Sequence, residues 1–275
     1  MILNSEGLPA GVRRERIAGL VADRGFVHVG HLADEFGVSR VTVRTDLDAL
    51  ASQGRLRRVR GGALDSRQPD GVPSDRTSDP MESPLQDSKD DFLTEKILIG
   101  HAAAQLVSSG ESIILDGGTT TMAVAHSLVK RADLHDVVIF TNSLPIALGL
   151  ECAIPRFTIF VTGGSLRPLQ HSLVNPLATK ILTEIHVDTA FLACSGVHSK
   201  DGFTDRNLPE VEIKQMMIRS ASRRVFVAAG SKLGHKDLAT ICQLTEADLL
   251  LTGGSADNRI VEECRRAGLD LQICG

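Results

Sequence analysis

Two stretches of the chain set residues that do chemistry at the spacing the chemistry needs. "SRVTVRTDLDAL" (39–50) places Arg40 and Arg44 in the opening turns of a helix that begins at a serine. A guanidinium's planar fork bonds two acceptors on a guanine edge or grips a phosphate, and a helix N-terminus favours anions. "ILDGGTTTMAVAHSL" (114–128) puts Asp116, Gly117, Gly118, Thr119, Thr120 and Thr121 where a strand passes into a helix. Glycines there allow close backbone approach, the amides of the first turn suit a phosphate or carboxylate, and threonine hydroxyls add donors. The run is neither a Walker loop nor a dinucleotide GxGxxG. In isolation, a strand-to-helix turn capped by threonine is its plainer reading.

The elements that would hold the arginines can be read around them. Ser39 is a natural N-cap, and Val38 with Val43 has the spacing of a hydrophobic staple. Val43, Leu47 and Leu50 follow i, i+4, i+7 and form the buried stripe. The opposite arc then shows Val41, Arg44, Thr45 and Asp48, with Arg40 and Thr42 at its margins. Two helical segments precede it, "RRERIAGLVADRG" ending at Gly25 and "VGHLADEFG" ending at Gly37. A short helix, a glycine turn and a capped helix match a helix-turn-helix, whose second helix enters the major groove. A solvated helix with its arginines paired to Asp46 or Asp48 is the competing account. "GRLRRVRGGAL" (54–64) tips the balance. Its Gly-bounded alternation predicts two short strands, and Arg55, Arg57, Arg58 and Arg60 would set such a β-wing on the phosphate backbone.

The C-terminal part alternates β-type runs, such as "ESIILDGG", "VVIFTN", "DTAFLAC", "RVFVAAG" and "ADLLLTGG", with helical ones. Near-continuous apolar strands separated by helices predict a parallel sheet covered on both faces. Polar cues recur after the strands: Asn142 in "FTNS", Gly163 and Gly164 in "VTGGS", Gly196 in "ACSGV", Lys232 in "AGSKLG". Ligands of open parallel sheets bind at that carboxyl edge. Glycines, hydroxyls and one lysine converging there describe a pocket for a small anion.

Composition frames both parts. The chain has 275 residues, 42% hydrophobic and 23% charged, with five cysteines in no CxxC pair. No metal site or disulfide framework is indicated. No apolar run approaches the ~20 residues of a membrane span, and the opening residues lack a signal peptide's pattern, so a cytoplasmic location is expected. The net charge of −4 conceals a division. Residues 13–64 hold ten arginines against six carboxylates, whereas 65–95 hold three basic residues against nine acidic ones. Residues 66–88, with four prolines, read as a linker. The expected organisation is a DNA-binding domain over 10–65, a linker over 66–88 and an α/β effector-sensing domain over 89–275.

"VHVGHLADEFGVSRVTVRTDLDALASQGRLRRVRGGAL" resembles the winged helix-turn-helix of the DeoR family of bacterial transcriptional regulators. That resemblance implies DNA contacts from Ser39, Arg40, Val41, Thr42, Arg44, Thr45, Arg57, Arg58 and Arg60. The family's usual Ser-x-x-Thr-Ile-Arg-Arg-Asp-Leu is altered at Thr45, where a second arginine is customary, and Arg60 stands for a histidine. These departures bear on which operator bases are read. The C-terminal half resembles the sensor domain of the same family, similar in fold to ribose-5-phosphate isomerase. It implies that Asp116 to Thr121 hold a sugar's phosphate and nearby hydroxyls, with Asn142, Gly164, Gly196 and Lys232 lining the rest. Ala229 and Gly253 stand where the family commonly has aspartates, and Asn175 where glycine is usual, which bears on the hydroxyl pattern read.

The resemblance therefore implies a small winged helix-turn-helix followed by a Rossmann-like, mostly parallel α/β sensor domain. The function implied is a DNA-binding regulator, usually a repressor, controlled by a phosphorylated sugar or related anion. Its partners would be an operator duplex and that effector, with no cofactor and no membrane, and two-fold operators call for at least a homodimer. Two alternatives stay open. A sugar-phosphate isomerase fused to a DNA-binding unit would need an acid and a base. Asp188, Asp201, Glu212 and Lys232 supply the types, although no spacing singles out a pair. A DNA-binding scaffold with an unliganded α/β domain is the other.

Overall fold

The N-terminal elements follow from where apolar residues recur and where glycine breaks the pattern. In a computed structural model, the described residues are 9–24, 26–59, 62–65 and 93–275, and they divide into two compact units on either side of a division between Thr77 and Ser78. The expected linker, 66–88, lies outside the described residues.

In the first unit, helix α1 (Ala10–Arg24) leads through strand β1 (Phe26–His28) into α2 (Val29–Phe36) and α3 (Arg40–Ser52). Gly37, at φ +63°, makes the turn between the last two, a conformation that costs glycine little. Strands β2 (Leu56–Val59) and β3 (Gly62–Asp65) follow as an antiparallel pair, and β3 also pairs with β1 in a three-stranded sheet. The wing strands were expected; β1, a short run before a helix, was not. Ile17, Val21, Leu32, Val43, Leu47, Leu50 and Leu56 form the unit's core.

The second unit begins with α4 (Leu93–Ala104), β4 (Ser112–Leu115), α5 (Thr119–Lys130), β5 (Val137–Thr141), α6 (Leu144–Leu150) and β6 (Phe157–Val161). An antiparallel pair, β7 (Ser165–Arg167) and β8 (Ser172–Val174), precedes α7 (Leu177–Thr183) and β9 (Val187–Leu192). Next come β10 (Gly196–His198), β11 (Gly202–Asp205), α8 (Leu208–Arg219), β12 (Ala221–Ala228), β13 (Ala239–Cys242), β14 (Leu249–Gly253), α9 (Asn258–Arg266) and β15 (Leu271–Cys274). Seven strands form one parallel sheet in the order β15-β14-β12-β9-β4-β5-β6.

Strand alternation divides the core between the two faces. Ile113, Leu115, Ile139, Val225 and Leu251 pack under α4, α5 and α6, while Ile114, Ala190, Phe226 and Leu250 pack under α7, α8 and α9. The chain leaves β4 through α5 on the first face and β9 through α8 on the second. Since β4 and β9 are neighbours, their carboxyl ends mark the point where the winding reverses, the place where open α/β sheets bind ligands. The small antiparallel pieces β7–β8 and β10-β11-β13 lie outside this sheet. Their three- and four-residue strands have too little period-2 pattern to stand out in sequence.

Candidate functional site

In the first unit, α3 is set by its cap and its stripe. Ser39 Oγ accepts the Thr42 amide at 3.1 Å, and Val43, Leu47 and Leu50 are fully buried. The Ser39 and Thr42 hydroxyls bond each other at 2.8 Å, and Thr45 Oγ1 donates to Val41 O at 3.1 Å. Arg40, Arg44 and Thr45 are exposed, and Val41 is 69% exposed beside them.

The carboxylates near these arginines are engaged elsewhere. Asp46 is buried, 1% exposed, and accepts Arg13 Nε at 2.5 Å and Arg14 Nε at 2.8 Å from α1. Burial opposes its ionisation, but the two guanidinium groups outweigh burial and hold the carboxyl below its usual range. Asp48 pairs with Arg58 at 3.0 Å, and Arg58 Nη1 also donates to Arg44 O at 2.9 Å, tying β2 to α3. Glu15 takes both terminal nitrogens of Arg55, at 2.5 and 2.8 Å. The competing account, in which the arginines of α3 pair with Asp46 or Asp48, is not realised: those carboxylates take Arg13, Arg14 and Arg58, and neither Arg40 nor Arg44 has an ion pair among the described residues. Arg57 is exposed on β2, and Arg60 lies outside the described residues.

In the second unit, Asp116 follows β4 directly and is fully buried at the reversal point. Its amide donates to Phe191 O, and its Oδ2 accepts the Ala193 amide at 3.0 Å, both from the end of β9. Oδ2 also accepts Lys214 Nζ from α8, and the same ammonium donates to Ala193 O at 3.0 Å and lies 3.7 Å from Asp205. Gly117 donates its amide to Asn142 Oδ1 at 2.9 Å, and Asn142 Nδ2 donates to Leu173 O at 3.3 Å. Asn142 is wholly buried and holds the loop, β5 and β8 together. Thr121 Oγ1 is committed to Gly118 O at 3.0 Å; the N-cap of α5 is Gly118, which has no side chain to cap the turn where Thr119 and Thr120 stand.

The remaining expected residues serve chain packing more than lining. A Cβ on Gly164, at φ +117°, would lie 2.3 Å from Val174 O. One on Gly196 would lie 2.6 Å from His235 O and 2.7 Å from Thr204 Oγ1. Lys232 is half-buried in the turn after β12, close enough to the end of β9 to act electrostatically on Cys194. Burial pushes that thiol up to about 12.

Sequence reasoning missed the centre of this cluster. Glu210, in the first turn of α8, accepts Arg167 Nη1 at 2.6 Å and the Ser172 hydroxyl, both from the β7–β8 pair. Glu210, Lys214 and Met217 occupy i, i+4 and i+7 of the buried stripe of α8. A lysine in the middle of an apolar stripe was the available signal. Burial pushes the Asp116 carboxyl up to about 6; Lys214 opposes the rise and Glu210 reinforces it. Burial likewise opposes the charge on Lys214, but Asp116, Asp205 and Glu210 outweigh it and keep the ammonium protonated. Among the described residues, three buried side-chain oxygens find no hydrogen-bond partner: Asp116 Oδ1, Glu210 Oε2 and Thr252 Oγ1.

The altered positions acquire a physical account. A Cβ on Gly253 would fall 1.8–1.9 Å from the Glu95 side chain, so a carboxylate from α4 fills the space where a side chain at 253 would begin. Glu95 accepts the Ser255 amide at 2.9 Å, the Ser255 hydroxyl at 2.8 Å and the Gly230 amide at 3.3 Å. Asn175 Nδ2 donates to Glu212 at 2.6 Å. The acid and base candidates are dispersed: Asp188 sits at the start of β9 accepting from Ser112, Asp201 pairs with His198 and Lys236 in a turn, and Glu212 is exposed.

Comparison with known proteins agrees with this organisation. The DeoR-like helix-turn-helix domain matches residues 13–68, and the DeoR C terminal sensor domain matches residues 91–254. The HTH-type transcriptional regulator GlpR of Haloferax volcanii is 33% identical, over 95% of this chain and 96% of its own length. The glycerol-3-phosphate regulon repressor of Escherichia coli K12 is 27% identical, over 95% of this chain and 98% of its own. Among solved structures, ribose 5-phosphate isomerase A from Methanocaldococcus jannaschii superposes with a TM-score of 0.38 at 17% identity, over 51% of this chain and 54% of that one. No helix among the described residues is long and apolar enough to cross a membrane.

Proposed function

The chain belongs to the DeoR family of DNA-binding transcriptional regulators, and from that premise we propose that it is a cytoplasmic homo-oligomeric repressor released or retained on its operator by a phosphorylated sugar. Arg40, Val41, Arg44 and Thr45 of α3 read base edges in the major groove, while Ser39 and Thr42 hold the start of that helix against the duplex. Arg57, Arg58 and Arg60 grip phosphates beside them. One observation carries the DNA reading: Arg40 and Arg44 are exposed and, among the described residues, have no ion pair, in a unit where Glu15, Asp46 and Asp48 are taken up by other arginines.

The effector binds at the carboxyl edge of the parallel sheet, its phosphate at the uncapped start of α5 near Gly117, Gly118, Thr119 and Thr120. Lys232 contributes positive charge from the neighbouring strand end. A relative bearing glycerol-3-phosphate in its name fits an effector of this class. Ligand alters DNA affinity by binding one arrangement of the assembly better than the other.

The test uses the full chain and a duplex selected by it from a random pool, with affinity measured by gel shift in the absence and presence of pentose, hexose and triol phosphates. Expected are duplex binding that at least one phosphate ester changes tenfold or more, and sedimentation as a dimer or larger. Failure of all esters to change affinity overturns the effector reading; failure to select any duplex overturns the DNA reading.

A further inference from the structure

The two edges of the seven-stranded sheet are finished differently. At one end stands β15, where the Leu250 amide bonds Asp270 O and Leu271 therefore faces away from the sheet. That outward Leu271 carbonyl is taken by Arg265 Nη2 of α9 at 3.2 Å, and the exposed Asp270 stands directly before the strand. At the other end, β6 pairs with β5 in an unbroken register from Phe157 to Val161, and no other strand of the described residues pairs with it. The Thr162 amide bonds Thr141 O, so Thr158, Phe160 and Thr162 turn their backbone groups toward β5. Phe157, Ile159 and Val161 turn theirs outward.

An open strand edge is a template for another strand, and proteins that keep one free blunt it with charge, proline or a bulge. β6 uses none of these: from Phe157 to Leu166 the chain has no charged residue and no proline, and the register has no shift. Its exposed side chains are apolar instead. Phe160 stacks on Phe140 of β5, ring centroids 4.9 Å apart, yet is 47% exposed, and Val161 is exposed next to it in the chain. Leu148 of α6, the helix packed on β6, is exposed as well. Just after the strand, a Cβ on Gly164 would lie 3.2 Å from Ala178 Cβ, which brings α7 to this corner with Leu177 and Ile181 exposed.

The absence of charge decides the occupant. A charged edge repels its own copy, whereas this one meets itself without like-charge repulsion. Resting on the homo-oligomer reading above, we infer that β6 is the self-association surface of the sensor unit: two copies pair their β6 strands antiparallel across a two-fold axis and join their sheets into one. With Ile159 on the axis, outward backbone groups meet outward backbone groups, Ile159 with its own copy and Phe157 with Val161 of the partner subunit. The exposed Thr158 then lies opposite Phe160 of the partner subunit, on the sheet face where Phe160 stacks on Phe140. Such a contact is isologous and closes on itself. It supplies the two-fold relation that paired operator half-sites demand.

Sedimentation of the full chain over a concentration series tests this with two matched double variants. Thr158→Lys with Phe160→Lys sets like charges opposite each other across the axis. Thr158→Glu with Phe160→Lys loses the same ring but sets opposite charges there. Wild type is expected as a dimer or larger, and the like-charge variant should dissociate about tenfold or more readily than the opposite-charge one. Circular dichroism checks that both stay folded. Should loss of the Phe160 ring unfold the unit, Val161→Lys keeps that ring and should raise the dissociation constant of wild type about tenfold or more. Equal dissociation of the two double variants, or an unchanged constant for Val161→Lys, overturns the inference and leaves an oligomer held by another surface. A wild type that stays monomeric at every concentration overturns the homo-oligomer reading with it.

Discussion

Asp46→Ala should unfold much of the DNA-reading unit while leaving the sensor unit intact. Arg13 is 7% exposed and has lost its carboxylate in the variant, whereas Arg14, with a third of its side chain exposed, can turn to water. Removing one partner of a buried pair costs about 3–5 kcal/mol, and the freedom of Arg14 to reach water favours the lower end, ~3 kcal/mol. A unit of this size is stable by only about 3–8 kcal/mol, and each kcal/mol moves the midpoint of so small a domain by roughly 4–8 °C. Thermal melts of the full chain followed by circular dichroism should show the N-terminal transition lowered by about 12–24 °C. Operator binding should fall with it, and the sensor transition should stay in place. Replacing the pair together, Arg13→Met with Asp46→Leu, should recover most of the loss, since apolar side chains of similar volume tolerate that environment. Because the folded carboxyl titrates below its usual value, its contribution is present above about pH 4 and disappears as pH falls through the folded pKa. A shift under about 4 °C for Asp46→Ala, with DNA affinity unchanged, would refute the assignment of Asp46 as the brace of α3.

Arg44→Ala should weaken operator binding by about 1–3 kcal/mol and relax the preference at one base pair, whereas Arg57→Ala should lower affinity on all duplexes and reduce the salt slope by about one. Gel shifts on operator and scrambled DNA across a salt series separate the two. Asp116 titrates near 6 in the fold, so from this group alone the sensor unit gains stability as pH falls from about 6 toward 4. Comparing the pH dependence of the sensor melt with that of Asp116→Asn isolates this contribution. Glu95→Ala should cost about 1–3 kcal/mol in melts of the sensor unit, and Gly253→Asp should destabilise wild type through contact with Glu95. The double variant should lose less than the sum of the two by more than about 0.5 kcal/mol; simple additivity would count against Glu95 filling that space.

What sequence made legible were features carried by local pattern. The cap at Ser39, the Val43–Leu47–Leu50 stripe and the arginine-rich wing each reside in one short segment, and so does every strand of the parallel sheet. The exposure of Arg40 and Arg44 followed from angular position alone. Asn142 and Gly196 were legible as residues at strand ends but not as structural ones. Their roles depend on Leu173, Thr204 and His235, which arrive from other elements. Asp46 was hidden for the same reason: its partners lie 33 and 32 residues earlier, and a carboxylate beside Leu47 reads as surface until α1 is seen against it.

Gly253 shows how a carboxylate absent from a strand end can be supplied by another element. By sequence, Ala229 and Gly253 remove two carboxylates from the strand ends. In the fold, Glu95 comes from 158 positions earlier and sets its carboxylate over Gly253, bonded to Gly230 and Ser255. A Cβ at 253 would force the Glu95 side chain to shift, and the amide at 230 faces the same carboxylate. A Cβ on Gly230 would itself lie 2.3 Å from the Ala256 amide, so the strand ends and the first turn of α4 fit as one close-packed unit. One carboxylate thus stands at this edge, supplied by a helix and not by the strand ends. Reading such a site therefore requires knowing which helix starts face which strand ends, information that sheet order supplies and composition does not.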